Sequence, residues 1–147
     1  MSKELFTATV ESIGPLKMKC SSRNFSFYLD EPESLGGKDE AMTPVEALLS
    51  AFGACQNMVA KSFASAHKIN LIDIKVELEG ELDLDGIKGK NKNAKIGFSK
   101  ITSKYYIKAD NTDQEIRDFI QFVESNCPIL DTIVNTPEMV TEIYPVR

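Results

Sequence analysis

Histidine occurs once in this 147-residue chain, and cysteine three times. The cysteines are far apart and form no Cys-x-x-Cys pair. A zinc or haem site needs a cluster of such ligands, so no metal and no cofactor is expected. Three scattered thiols are not a disulfide framework either. The single histidine, His67, falls near the end of a long helical pattern. A surface position suits it there, and its charge would suit the helix dipole. No apolar run reaches the length of a membrane span, and the N-terminal MSKELFTATV carries no long apolar signal segment. The expectation is a cytoplasmic protein with no membrane partner. Basic residues are not in excess: 17 Lys and Arg against 22 Asp and Glu leave a net charge of −5. Nucleic acid is therefore not an expected partner. The one crowded basic stretch, Lys88, Lys90, Lys92, Lys95 and Lys100, lies beside Gly86, Gly89 and Gly97 and reads as a solvated hairpin loop.

What is present is a core of ordinary size: 42% of residues are apolar and 27% charged, in a length that suits one domain over residues 1–147. Alternation opens the chain. Phe6, Ala8 and Val10 form one run, Leu16, Met18 and Cys20 a second, and Phe25, Phe27 and Leu29 a third, with Gly14-Pro15 and Ser21-Ser22 between them. This predicts a three-strand meander, with Cys20 a half-buried strand residue. Asp30 to Met42 is a loop broken by Pro32 and Gly36-Gly37. Thr43, Pro44 and Glu46 then make an N-cap, an N1 proline and an N3 glutamate, the start of a long helix. Its apolar stripe runs through Val45, Leu48, Leu49, Phe52, Cys55, Val59 and Phe63, with alanine and Met58 filling much of the rest. A helix apolar nearly all round is a buried helix. One chain with a few strands has difficulty surrounding it, so a homodimer is expected in which the helix meets its copy.

Ile72, Ile74, Val76, Leu78, Leu82 and Leu84 predict a long strand, and Ile101, Tyr105 and Ile107 its return, with Ile96 and Phe98 out of phase and suggesting a bulge. Thr112 and Glu115 start a second long helix, Cys127 and Pro128 a short one, and Met139 to Tyr144 read as a last strand. The order is βββ-α-ββ-α-β, an α+β pattern.

Two thiols stand out: Cys55 within the long helix and Cys127 at a helix start. A two-cysteine redox enzyme needs such a pair, and two inert core residues would look similar. At a helix start, free backbone N–H groups and the dipole favour a thiolate, which marks Cys127. Glu46 has a purely structural role available in its capping box. It is nine residues from Cys55, about 2.5 turns and roughly 13 Å of rise, on nearly the opposite side of the helix. Any chemistry the two share must come through another chain.

Three stretches, DEPESLGG, TPVEALLSAFGAC and VESNCPILDT, stand in this order and spacing. With them the chain resembles the superfamily of osmotically inducible protein C and the organic hydroperoxide resistance proteins, in one of its less characterised OsmC-like branches. The resemblance covers nearly the whole chain. It implies two intertwined subunits, with long central helices between curved antiparallel sheets and two active sites at the dimer interface. It implies a peroxidatic Cys55, a resolving Cys127, and a Glu46 that orients an arginine toward the peroxidatic thiol across that interface. Arg23 is the arginine in the matching part of the chain; Lys17 and Lys19 lie on the strand where an arginine is expected. Only an arginine offers a planar fork to a thiolate and a carboxylate together.

The implied activity is cysteine-based reduction of small organic hydroperoxides in oxidative-stress defence. It proceeds through a Cys55 sulfenate and a Cys55–Cys127 disulfide that an external dithiol reduces. Apolar surroundings disfavour a thiolate, so the chemistry itself asks for a cation beside the reacting sulfur. Phe52, Met58 and Phe63 would give apolar walls that suit an organic peroxide. The competing expectation is a non-catalytic dimer of the same fold that binds a small apolar molecule or senses redox change slowly.

Overall fold

The computed structural model describes residues 2–147. The chain divides into two compact units, residues up to Ser50 and Ala51–Arg147, with the boundary inside the long helix.

The first unit holds strands β1 (Thr9–Ser12), β2 (Met18–Ser22) and β3 (Phe25–Leu29), an antiparallel meander in the order β1-β2-β3. Register sets Cys20 opposite Val10 on one side and Phe27 on the other. Cys20 is the buried residue of β2, whereas all four residues of β1 are exposed. The loop that follows is tied down by one carboxylate. Asp30 accepts N–H groups from Glu31 at 2.8 Å, Lys38 at 3.3 Å and Glu40 at 3.2 Å, and is 2% exposed. Gly36 takes a positive φ of 93°, and the backbone at Gly37 lies so close to Glu31 that a Cβ would collide with its carbonyl oxygen. Both glycines of the pair are thus required by the turn. Lys17 closes the loop from outside, 2.7 Å from Glu40.

Helix α1 (Pro44–Phe63) starts at the expected capping box. The Glu46 carboxylate accepts the Thr43 N–H at 2.7 Å, and the Thr43 hydroxyl accepts the Glu46 N–H at 3.3 Å. In the second unit come β4 (Leu71–Glu81), α2 (Leu84–Ile87), β5 (Lys100–Ala109), α3 (Asp113–Ser125) and α4 (Pro128–Val134). Strands β4 and β5 pair antiparallel, and the core gathers Ala60, Ala64, Ile69, Ile74, Phe119 and Val123. Helix α3 has the full Thr112–Glu115 capping box, and α4 begins with Cys127 as N-cap and Pro128 behind it.

Several expectations are corrected. The irregularity in the sheet lies between Leu71 and Asp73, not near Ile96 and Phe98, which precede β5 in the loop. That shift turns Ile72 out to 59% exposure. The β4 pattern stops at Glu81, and Leu84 begins α2 because Asp83 caps it by accepting the Asp85 N–H. Met139 to Tyr144 form no strand. A strand exists only with a ladder partner; among the described residues this segment pairs with none, and Met139, Val140, Ile143 and Tyr144 are 74–82% exposed. Within one chain, α1 leaves Val45, Leu48, Met58 and Phe63 exposed.

Asp30 gives a pH dependence with a definite sign. The Glu31 N–H, joined by those of Glu40 and Lys38 and by the Lys17 charge, holds its carboxyl below the ordinary value. Its contribution is complete above the unfolded value of about 3.9 and disappears as pH falls through the lower folded value. Thermal unfolding followed from about pH 6 to pH 2 should show a steeper loss below about pH 4 in the parent chain than in Asp30→Asn. Parallel curves would contradict the role of the carboxylate.

Candidate active site

Helix α1 is fastened to the sheet of the second unit by side chains flanking Cys55. Gln56, fully buried, donates from Nε2 to the Ser103 hydroxyl on β5 at 3.0 Å. Asn57 donates from Nδ2 to the Ile74 carbonyl on β4 at 3.2 Å. Gly53 admits Leu78, whose Cδ2 would collide with a Cβ at that position. Two polar anchors on successive residues and one close approach set the rotation of the helix about its axis. Cys55 is thereby turned toward the start of α4. There the Cys127 sulfhydryl donates to the Cys55 sulfur at an Sγ–Sγ distance of 3.1 Å, and the Cys127 sulfur accepts the Leu130 N–H at 3.5 Å. Both thiols are free.

The electrostatics of Cys127 reverse the sequence expectation. Burial pushes its thiol up, the hydrogen bond to Cys55 pushes further, and the Leu130 and Ile129 N–H groups pull down without prevailing. Cys127 is 1% exposed, so loss of hydration outweighs two backbone donors. It keeps its proton and offers it to Cys55, which is more exposed.

Near the pair lies a cleft of about 410 Å³ whose walls include Phe52, Phe98, Ile101, Leu130 and Ile133, with Ser103, Lys100 and Glu124 as polar members. Phe52 is one of its apolar walls. Met58 is 67% exposed within one chain, and Phe63 packs edge-on against Phe122 at 5.3 Å. His67 lies against Phe122, ring centroids 3.9 Å apart, on an exposed turn. Tyr105 on β5 reaches Glu124 on α3, hydroxyl to Oε1 3.5 Å. Its phenol is pushed well up by burial, then by the charges of Glu124 and Cys127.

The structure brings Cys55 and Cys127 together. The other two expected site residues lie in the first unit. Arg23, with a positive φ of 53°, tips the β2–β3 turn and holds its guanidinium over the Phe25 ring at 4.9 Å. Glu46 is occupied with its capping box, and among the described residues no ion pair joins it to Arg23. Of the alternative cations, Lys17 is paired with Glu40, and Lys19 stands on β2 opposite Glu11 and Tyr28. Sequence reasoning missed Gln56, Ser103, Tyr105 and Glu124. A signal existed for the strand pair: Ser103 and Tyr105 share the inward phase of Ile101 and Ile107.

Residues 37–142 match the family of OsmC-like proteins, and the chain belongs to that family. It is similar to the hydroperoxide reductase of Mycoplasma genitalium, 28% identical over 116 residues that make up 78% of this chain and 77% of that protein. Among solved structures it resembles an OsmC-like protein from Mycoplasma pneumoniae, with TM-score 0.78, 24% identity, and 92% and 91% of the two chains covered. It also resembles the organic hydroperoxide resistance protein OsmC from Legionella pneumophila, with TM-score 0.69, 20% identity, and 90% and 93% covered. These likenesses show the fold: α+β, with antiparallel sheets, of the OsmC-like kind. No helix among the described residues is long and apolar enough to cross a membrane.

Sulfurs 3.1 Å apart in one chain have a direct consequence. A mild thiol oxidant such as diamide should remove two thiols per chain, and peptide mapping should find Cys55 joined to Cys127 with Cys20 still free. A mixed population pairing Cys20 would refute the assignment.

Proposed function

We propose that the protein is a thiol-dependent hydroperoxide reductase acting in oxidative-stress defence in the cytoplasm. The observation that carries this reading is the Cys127 sulfhydryl donating to Cys55 across 3.1 Å. That contact leaves Cys127 positioned to resolve what Cys55 becomes. The Cys55 thiolate attacks the distal oxygen of an organic hydroperoxide; the O–O bond breaks, the alkoxide takes a proton and leaves as alcohol, and Cys55 becomes a sulfenic acid. Cys127 then attacks that sulfur, water leaves, and a disulfide forms. An external dithiol reduces it through a mixed disulfide. In this reading the apolar Phe52 on α1 and Leu130 on α4, from the same two helices as the thiols, favour an organic over an inorganic peroxide.

In this reading both units form one domain, and the working protein is a homodimer of intertwined subunits. Arg23 and Glu46 serve a thiol of the opposite subunit, Glu46 orienting the guanidinium that activates Cys55. Support for a second copy comes from apolar side chains that one chain leaves in water: Phe25 and Phe27 on β3, Val45 and Leu48 on α1, and Ile143 and Tyr144 in the tail. Sedimentation at about micromolar concentration should give twice the chain mass, and a monomer there would rule out the shared site.

The central test uses one equivalent of cumene hydroperoxide and a count of free thiols. Loss of two thiols per chain, abolished by Cys55→Ser, is the expected result, with tert-butyl hydroperoxide turned over faster than hydrogen peroxide. An unchanged thiol count in the parent protein would favour a dimer that binds an apolar molecule without reducing it.

A further inference from the structure

The stretch from Gly86 to Lys100 holds five lysines and no acidic residue, in a chain of net charge −5. Without them the chain would carry −10. All five, Lys88, Lys90, Lys92, Lys95 and Lys100, are exposed. The ion pairs among the described residues join Lys17 to Glu40, Lys75 to Glu77, Lys100 to Glu81 and Lys104 to Glu79. Lys88, Lys90, Lys92 and Lys95 take part in none. Crowded cations without partners repel one another, so the fold itself gains nothing from them.

The loop that carries them is folded. The Asp85 carbonyl accepts the N–H groups of Lys90 at 2.9 Å and Asn91 at 3.2 Å, and the Asn91 side chain accepts the Asn93 N–H at 3.0 Å. Gly86 lies so close to Lys95 that a Cβ would collide with its carbonyl oxygen. At the base, Ser99 donates its N–H and its hydroxyl to the Glu81 carbonyl, at 2.9 and 3.2 Å. Phe98 packs onto Gly80, where a Cβ would strike its ring. The lysines are thus held in place against the end of β4. Leu84, Ile87 and Ile96 are exposed among them. Exposed apolar side chains rimmed by charge mark a surface that another protein covers, and unpaired cations select an acidic one.

The base of the loop also leads toward the thiols. Phe98, Ser99 and Lys100 line the same cleft as Phe52 and Leu130. Leu130 gives its N–H to the Cys127 sulfur, and Phe52 stands one turn before Cys55 on α1. We propose that the loop from Leu84 to Lys100 is the docking surface for the external reductant, a protein whose dithiol lies beside an acidic surface. The inference rests on Cys55 and Cys127 forming the disulfide of the reaction cycle. A thiolate of the docked partner attacks Cys55, the more exposed sulfur. The Cys55–Cys127 bond breaks, and Cys127 leaves and takes a proton. The partner's second thiolate then attacks its own sulfur in the mixed disulfide. Cys55 leaves and is protonated, and the partner departs as a disulfide. Two electrons and two protons pass to this chain.

The test uses the full chain oxidised with diamide. Its reduction is followed with dithiothreitol, with a Cys-x-x-Cys peptide ending in a run of glutamates, and with the same peptide ending in glutamines. In about 0.01 M salt the glutamate peptide should react about tenfold faster than the glutamine peptide. The advantage should vanish in about 1 M salt, where screening acts within about 3 Å. Lys88→Gln/Lys90→Gln/Lys92→Gln/Lys95→Gln should remove it, and glutamate at the same positions should reverse it. Neither set should change the rate with dithiothreitol or the sedimentation mass. Equal rates for the two peptides in the parent chain overturn the proposal, as does a preference that survives both sets of substitutions. A lower mass in the variants would assign the loop to a second copy, and slower reduction by dithiothreitol would assign the lysines to the fold; either result overturns it. If cumene hydroperoxide leaves the thiols untouched while the glutamate peptide keeps its advantage on the diamide-made disulfide, the hydroperoxide reading fails alone. If diamide joins no sulfurs, both fail.

Discussion

The docking of α1 on the β4–β5 sheet governs what the rest of the second unit can do. A helix carrying apolar side chains on most of its surface could sit on a sheet at many rotations, because apolar contact has no direction. Hydrogen bonds do. Gln56 to Ser103 and Asn57 to Ile74, on successive residues, admit one rotation, and the absent side chain at Gly53 lets the helix come close enough to make them. Gln56 is fully buried, so breaking its bond would leave polar atoms without water. Cys55 faces Cys127 as a result.

Proton placement follows from burial rather than from the helix end. Two backbone donors at the Cys127 sulfur are outweighed by loss of water, and the thiol is pushed up. Burial likewise pushes the Tyr105 phenol well up.

Features set by near neighbours in the chain are legible in the sequence. Both capping boxes and the Cys127–Pro128 helix start form as expected, because each needs only three or four residues. The Gly36-Gly37 turn is readable for the same reason. The Cys55–Cys127 contact joins residues 72 apart, and only the family resemblance points to it. Gln56 is invisible because one polar residue in an apolar helix resembles a spacer. The phase slip between Phe98 and Ile101 mimics a bulge, but Phe98 lies in the loop before β5, where strand phase has no meaning. Alternation in the tail is real, but alternation describes a surface that wants pairing and does not supply the pair.

The two sulfurs also sit at the ends of a long stretch of chain. The 72-residue separation encloses β4, β5 and α3, most of the second unit. Joining them would shorten the reach of the unfolded chain across that whole span, a loop-closure effect of about 4 kcal/mol in the chain-entropy account. A covalent link between them would then be a brace. The chain would pass between a looser reduced form and a sturdier oxidised one, so its resistance to heat would record its oxidation state.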